Sequence, residues 1–324
     1  MPEQIQPNHA DHISGYKQKY LEEMLKNEGV IAQPKYDGER MLIHIDHGNI
    51  YCTSRRFSKK TGQYAENQDK LPILKQIFSN ILDFDYTVID CECYAEDWST
   101  IAGILHSLPE RAIELQKEHP AKFACFDCLF INGMDIREQS YHYRLYSLNQ
   151  LLKTVDDLNC HFCWYVDEKS YYKFGHTKTF TSLEQIYAAR DKAISDGYEG
   201  IVVKSLNRAY YDKGASLKCK KFETVDVVVV GYQEGRGKYA DQVGALKIGY
   251  YDPENSEFVR ISNVNCGTDA DRLDWTNNKE KLLHSVIEVK CQEITKRSLR
   301  HPVMIRRRPD KTYEMCTKET IFKE

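Results

Sequence analysis

Apolar and polar positions along the chain fall into two textures. Up to about residue 222, helical periodicity alternates with short strand-like runs. Beyond it, short strands follow one another between glycine turns. Residues 1–12 are polar and read as a loosely held terminus. Residues 13–27 have helical spacing, with a stop near Gly29. Apolar runs predict strands at 30–34 and 40–46, and His47-Gly48-Asn49 turns the chain into another over 50–54. Leu71 to Leu82 is helical in pattern, Tyr86 to Tyr94 is strand-like, and 99–119 reads as one helix. A strand over 122–130 ends at the turn signal Asn132-Gly133. Helices follow over 138–154 and 183–196. The second is opened by Ser182 with Gln185 and stopped at Gly197. Glu199 to Lys204 is a buried strand with a charge at each end, and its pattern puts Val202 in the core.

After Phe222 come strands at 225–231, 244–250, 257–262 and 285–290, the pattern of a small β-barrel or sandwich. Two domains are therefore expected, 1–223 and 224–324, the first α+β with antiparallel sheets and the second all-β. A length of 324 residues agrees with two domains.

Composition changes this picture little. Hydrophobic content of 41% and charged content of 29% suit a globular core. A net charge of −3 gives no global sign of a nucleic-acid partner. Charge is local instead. Lys204, Arg208, Lys213, Lys218, Lys220 and Lys221 face one acid, Asp212. Residues 296–311 repeat the theme, with Asp310 the one acid. No apolar run approaches a membrane span, and Met1-Pro2-Glu3-Gln4 does not resemble a secretory leader, so no membrane association and a cytoplasmic setting are expected. The eleven cysteines then read as reduced. Cys125-x-x-Cys128 and Cys160-x-x-Cys163 have the spacing of a zinc site. Residues three apart on a strand point to opposite faces, however, so buried cysteine is the preferred reading.

The candidate chemistry centres on Gln33-Pro-Lys-Tyr-Asp-Gly-Glu-Arg40. A lysine between two strands is well placed as a nucleophile, because burial and neighbouring cations favour the neutral amine that attacks. The competing reading is a surface turn at Asp37-Gly38, and on these eight residues alone both stand. Further along lie Ser54-Arg55, Asp90-Cys91-Glu92, Phe126-Asp127, Glu199-Gly-Ile-Val-Val-Lys204 and Leu217-Lys-Cys-Lys220.

In this order, from about residue 30 to 315, the series resembles the covalent nucleotidyltransferases, which include DNA ligases, RNA ligases and mRNA-capping enzymes. Gly244-Ala-Leu-Lys-Ile-Gly249, Val286-Ile-Glu-Val-Lys290, Arg300-His-Pro302 and Arg308-Pro-Asp-Lys311 narrow the resemblance to minimal two-domain ATP-dependent DNA ligases of the phage, viral or bacterial kind. It implies an adenylyltransferase domain, ATP-grasp-like in architecture, followed by an OB-fold domain. It also implies ATP and Mg²⁺ (or Mn²⁺) as cofactors, nicked double-stranded DNA as partner, a monomer, and roles in DNA repair, replication and recombination. Lys35 would attack the α-phosphorus of ATP and carry AMP, which passes to the 5′-phosphate of a nick before the 3′-hydroxyl seals it.

The resemblance further assigns Gln33 to the adenine edge and Phe126 to stacking on the base, with plain core the alternative for Phe126. Arg40 and Arg55 go to ribose or phosphate, and Glu92 to ribose or metal. Glu199 goes to the metal, and Lys204, Lys218 and Lys220 to the α-phosphate. Arg308, Asp310 and Lys311 would orient pyrophosphate. A surface charge is the alternative for one of the adjacent pair Arg55 and Arg56. The sequence departs from the family at Cys91, where glycine is usual, and the added side chain is expected near the ribose. Alternatives are an RNA ligase, a capping guanylyltransferase, or a non-catalytic OB-fold nucleic-acid-binding protein.

Overall fold

The computed structural model describes residues 5–12, 16–155, 159–162, 180–220 and 222–322. The chain divides into two compact units, Met1–Lys220 and Lys221–Glu324.

The first unit runs β1 (Asp11–His12), α1 (Tyr16–Asn27), β2 (Val30–Pro34), β3 (Glu39–Asp46), β4 (Asn49–Ser58), β5 (Gln63–Glu66), α2 (Ile73–Ile77), β6 (Thr87–Tyr94), α3 (Trp98–His106), α4 (Pro109–Leu115), β7 (Lys122–Ile131), β8 (Met134–Asp135), α5 (Tyr141–Leu152), β9 (Cys160–Phe162), α6 (Leu183–Ser195), β10 (Gly200–Ser205) and β11 (Ser216–Lys220). These strands form two sheets. One is ordered β5-β4-β3-β6-β7-β8 with β9 on β7, the other β1-β11-β10-β2. All pairings are antiparallel except β1 with β11 and β7 with β9.

Strand alternation decides what each sheet offers. In the larger sheet Met41, Ile43 and Ile45 of β3 and Ile89, Cys91 and Cys93 of β6 join one core cluster with Ile101, Ile104 and Leu105 of α3 and Leu148 of α5. The register Arg40↔Glu92 and Leu42↔Asp90 puts Arg40, Asp90 and Glu92 together on the opposite face. In the smaller sheet Val30, Ala32, Ile201, Val203, Leu217 and Cys219 pack on Leu21 and Met24 of α1 and Ile186, Ala189 and Ala193 of α6. That leaves Gln33, Val202 and Lys218 as one row across the other face. Val202 thus lies two residues from Lys204 on the polar face, not in the core as the apolar run suggested. Fully burying such aliphatic side chains contributes about 1.5–3 kcal/mol each.

Several boundaries differ from the sequence reading. The helix expected over 99–119 is two, because Pro109 opens α4 at its first turn and Leu108 before it is extended. The helix expected over Leu71 to Leu82 shrinks to α2 and a 3₁₀ turn at Ser79–Ile81. The N-terminal residues from 5 onward are not loose. Ile5 is buried among Leu42, Val88, Leu129, Phe130 and Tyr210, and Tyr211 Oη donates to the Gln6 carbonyl. Cys125 and Cys128 are both in the main core, against the expectation of opposite faces. Register shifts between β6 and β7 leave Phe126 and Leu129 as extra residues on β7, which breaks the simple alternation. The ten cysteines among the described residues are free and buried, and Cys163 lies outside them. No cluster of three or more His, Cys, Asp or Glu suited to a metal occurs among the described residues.

The second unit has β12 (Glu223–Glu234), β13 (Val243–Asp252), β14 (Glu257–Val264), α7 (Asp269–Asn277), α8 (Lys279–Leu282), β15 (Val286–Cys291), β16 (Glu293–Ile294), β17 (Leu299–Arg300), β18 (Val303–Arg307) and α9 (Lys318–Ile321). Five strands form an antiparallel sheet, β14-β13-β12-β15-β18, bent by bulges in β12, β13, β14 and β18. The reading by strands and turns missed α7. A capping box of Thr268 and Asp271 opens it, and it delivers Trp275, fully buried, to the core.

Candidate functional site

Lys35 follows β2 directly. Its backbone N–H donates to the Gly200 carbonyl at 2.9 Å, and the Glu199 N–H donates back to the Lys35 carbonyl at 3.1 Å. This clasp fixes the lysine against the start of β10. Glu199 Oε2 lies 2.5 Å from Lys35 Nζ and 2.7 Å from Lys220 Nζ. Burial alone would raise the Glu199 pKa, but the charges and hydrogen bonds of Lys35 and Lys220 prevail and hold it near 2. Two glycines permit the geometry. Gly200 has φ +143°, and a Cβ there would collide with the Cys219 carbonyl. At Gly38 a Cβ would collide with the Cys93 carbonyl. The Asp37-Gly38 pair is therefore explained by close approach to β6. Tyr36 packs on Tyr94 and Tyr198, with ring centroids 4.6 and 5.0 Å away.

Lys218 sits in the row with Gln33 and Val202. Burial and the nearby charges of Lys35, Lys220, Arg55 and Arg40 lower its pKa. Glu92 is displaced the other way. Burial lifts it to about 7, even though Lys35, Arg40 and Arg55 pull it down. The polar faces of the two sheets therefore share one electrostatic site holding Lys35, Arg40, Arg55, Glu92, Glu199, Lys218 and Lys220.

Arg40 is already engaged within the protein. It donates to both oxygens of the buried Asp90 at 2.8 and 2.5 Å, to the Asn8 carbonyl at 2.6 Å and to Tyr210 Oη at 3.1 Å. Tyr210 Oη donates to Asp90 Oδ2 at 2.5 Å. The expectation of a direct ribose or phosphate contact from Arg40 meets a guanidinium held in place by these three groups. Its Cζ lies 5.0 Å from the Phe126 ring centroid. Lys204 Nζ is 4.6 Å from the same ring and 4.5 Å from that of Tyr141, and donates to the Phe126 carbonyl. The structure thus sets Lys204 against aromatic rings, while Lys35 and Lys220 pair with Glu199 and Lys218 lies near both lysines. Cys91 points into the main core and donates to the Met41 carbonyl, so its side chain is on the face opposite Asp90 and Glu92 and not near the ribose position.

Sequence reasoning did not find Tyr210, Asn8 or Tyr141. They lie in loops or at a helix start, and their roles come from tertiary contact. In the second unit it missed Asp226. Arg308 Nη1 reaches the two Asp226 oxygens at 3.0 and 3.1 Å, and Lys311 Nζ approaches Oδ2 at 2.6 Å. Arg308 is also chelated by Asp310, with Nη2 2.8 Å from Oδ2.

The sequence profile of the ATP dependent DNA ligase domain matches residues 10–221. The chain belongs to that family. The DNA ligase of Saccharolobus solfataricus is 28% identical over 312 residues, covering 92% of this chain and 46% of the relative. That of Caldivirga maquilingensis is 30% identical over 288 residues, covering 82% and 43%. The chain thus spans about half the length of the curated relatives it matches. Among solved structures, one described as Pmar-Lig_Pre superposes with a TM-score of 0.70 at 18% identity over 94% of this chain and 67% of the other. A Lig E DNA ligase, from work on DNA binding with a minimal scaffold, gives 0.61 at 17% identity over 94% and 99%. These likenesses speak to the fold: a ligase-type α+β unit followed by an OB-like β unit. No helix among the described residues is long and apolar enough to cross a membrane.

Proposed function

We propose that this ligase-family chain seals nicks in double-stranded DNA, acting as a monomer in the cytoplasm, with residues 1–223 as adenylyltransferase domain and 224–324 as OB-fold domain. The observation that carries the reading is Lys35 at the head of a cation cluster with Lys218 and Lys220, across from two carboxylates displaced in opposite directions. Lys35 Nζ attacks the α-phosphorus of ATP, a nitrogen–phosphorus bond forms, and pyrophosphate leaves. Glu199 releases Lys35 for this step and the ammonium proton passes to solvent, since only the neutral amine carries the lone pair that attacks. Lys218 and Lys220 spread the charge that develops on the α-phosphate. Phe126, backed by Arg40 and Lys204, is the platform for adenine, and the buried Gln33 lines the same face. This shifts Lys204 from phosphate to base support and Arg40 from direct contact to holding Phe126 and Glu92. Arg55 takes the nick 5′-phosphate. In the second unit Arg308, Asp310 and Lys311 orient pyrophosphate during the first step.

The donor set suits Mg²⁺ or Mn²⁺. Glu92 and Glu199 offer hard oxygen donors, and the half-buried Glu92 carboxyl, lifted to about 7, lacks the positive charge a cation provides. When bound, the ion would neutralise phosphate oxygens as a Lewis acid. RNA-ligase, capping and non-catalytic readings are not favoured by the family match. The test incubates the protein with α-labelled ATP, GTP or NAD and Mg²⁺. Label from ATP alone, lost in Lys35→Ala, is expected, together with sealing of nicked DNA in preference to nicked RNA. Absence of covalent label from any nucleotide overturns the reading.

A further inference from the structure

We propose a second phosphate site, separate from the nucleotide site and built on the opposite face of the same sheet around Arg56 and Lys70, that takes a backbone phosphodiester of the DNA. The proposal rests on the ligase reading above. Arg55 and Arg56 are neighbours on β4 and therefore face opposite ways. The register Met41↔Ser54 places Arg55 with Arg40 on the face of Glu92, and Arg56 with Glu39 on the other. There a cavity of about 280 Å³ opens, lined by Glu39, Ser54, Arg56, Asn67, Lys70 and His106, with Glu66 at its wall.

The charges in this cavity are unevenly matched. Arg56 Nη2 is 2.5 Å from His106 Nε2. A guanidinium nitrogen can only donate, so in this contact the imidazole nitrogen is the acceptor and brings no negative charge to Arg56. The one carboxylate near both, Glu39 Oε2, stands at 3.4 and 3.5 Å, too long for a tight pair. Lys70 Nζ donates at 2.6 Å to the Leu105 carbonyl, a neutral acceptor, and no carboxylate pairs with it among the described residues. Glu66 is drawn instead to Gln68, whose Nε2 donates to it at 2.7 Å. Two cations thus face a concavity whose two carboxylates, Glu39 and Glu66, make no tight ion pair with either of them, an arrangement that an entering phosphate completes.

The surroundings suit a nucleic-acid strand. Beyond Arg56 the β4–β5 hairpin carries Phe57, 52% exposed and edge-on to Tyr64 at 5.2 Å, followed by the exposed Lys59 and Lys60. Aromatic faces interleaved with lysines are what a sequence-independent backbone groove uses. Arg55 and Arg56 then serve two phosphates of the substrate on either side of one strand.

The test uses the full-length protein and its Arg56→Gln and Lys70→Ala variants. Binding to a nicked duplex is measured against salt concentration, with lysyl-AMP formation followed in parallel. Each variant is expected to lower the magnitude of the salt slope by about one, the signature of one lost phosphate contact, and to leave lysyl-AMP formation unchanged. A second arm measures thermal melting in millimolar inorganic phosphate. If the slopes match wild type but phosphate stabilises only the wild-type chain, the site takes free phosphate and the DNA assignment is overturned. If neither the salt slope nor the phosphate response changes in either variant, the site itself is refuted. Failure of wild type to form lysyl-AMP would count against the parent function alone, because both binding arms still report on the cavity.

Discussion

Glu92 gives the sharpest prediction, because its environment disfavours the charged form that its proposed role needs. Its carboxyl is lifted from 4.5 to about 7, with burial the chief cause. At about 1.4 kcal/mol per pH unit, that displacement corresponds to about 3 kcal/mol between protonation states. The side chain is partly open to the cleft, so the figure is discounted to about 2 kcal/mol. The sign follows from the direction. A group whose folded pKa is raised favours the folded state fully below its unfolded value, and that contribution is lost as pH rises from 4.5 to about 7. Glu92→Gln removes the penalty. The variant is therefore expected to be more stable than wild type by about 2 kcal/mol at pH 8, or roughly 4–8 °C in melting temperature for a unit of this size. The advantage should shrink toward zero at pH 4.5, while lysyl-AMP formation is lost. Paired melts at pH 4.5, 6 and 8, without metal or nucleotide, measure it. A variant less stable than wild type at pH 8, or a difference independent of pH, refutes the reasoning.

Two further predictions follow from the contacts. Arg308→Ala is expected to impair self-adenylylation while sparing the sealing of pre-adenylylated nicks; equal loss in both assays contradicts a first-step role. Tyr210→Phe leaves the buried Asp90 one donor short, so urea unfolding should report a loss of about 1–3 kcal/mol, and a change under about 0.3 kcal/mol would mean that the Tyr210 hydroxyl contributes nothing to the Arg40–Asp90 pair.

Much of the site was legible because motif spacing and strand alternation act together. Gln33 and Lys35, and Lys218 and Lys220, are two residues apart on or just beyond neighbouring strands of one small sheet, so period-two alternation brings them to one face, whereas Glu199, out of step with Val202, joins them at the end of the sheet where Gly200 takes φ +143°. Glu92 and Arg40 come together in the same way on the larger sheet. The sequence misled where alternation was broken or where contacts were long-range. The extra residue at Phe126 brought Cys125 and Cys128 into one core. Val202 looked like core because an isoleucine and a valine flank it, yet the count from Lys204 puts it on the polar face. The docking of Asn8 and Tyr210 onto Arg40 joins residues about two hundred positions apart, and no local pattern encodes it.

The two carboxylates explain why the site waits for its substrate. Glu199, near 2, is over-supplied with positive charge by Lys35 and Lys220, and Glu92, near 7, is under-supplied despite Lys35, Arg40 and Arg55. A site with carboxyls so far apart cannot be balanced by its own side chains. An incoming triphosphate offers the lysines a competing anion and loosens the hold of Glu199 on Lys35, while a divalent ion would meet the deficit at Glu92. On the proposed reading, the same event that brings the electrophile breaks the Lys35–Glu199 pair, and loss of the Lys35 proton to solvent then gives the attacking amine. On this argument Glu199→Gln should not hasten reaction by releasing Lys35 early: it would leave Lys35, Lys218 and Lys220 mutually repelling and remove the carboxylate proposed for the metal.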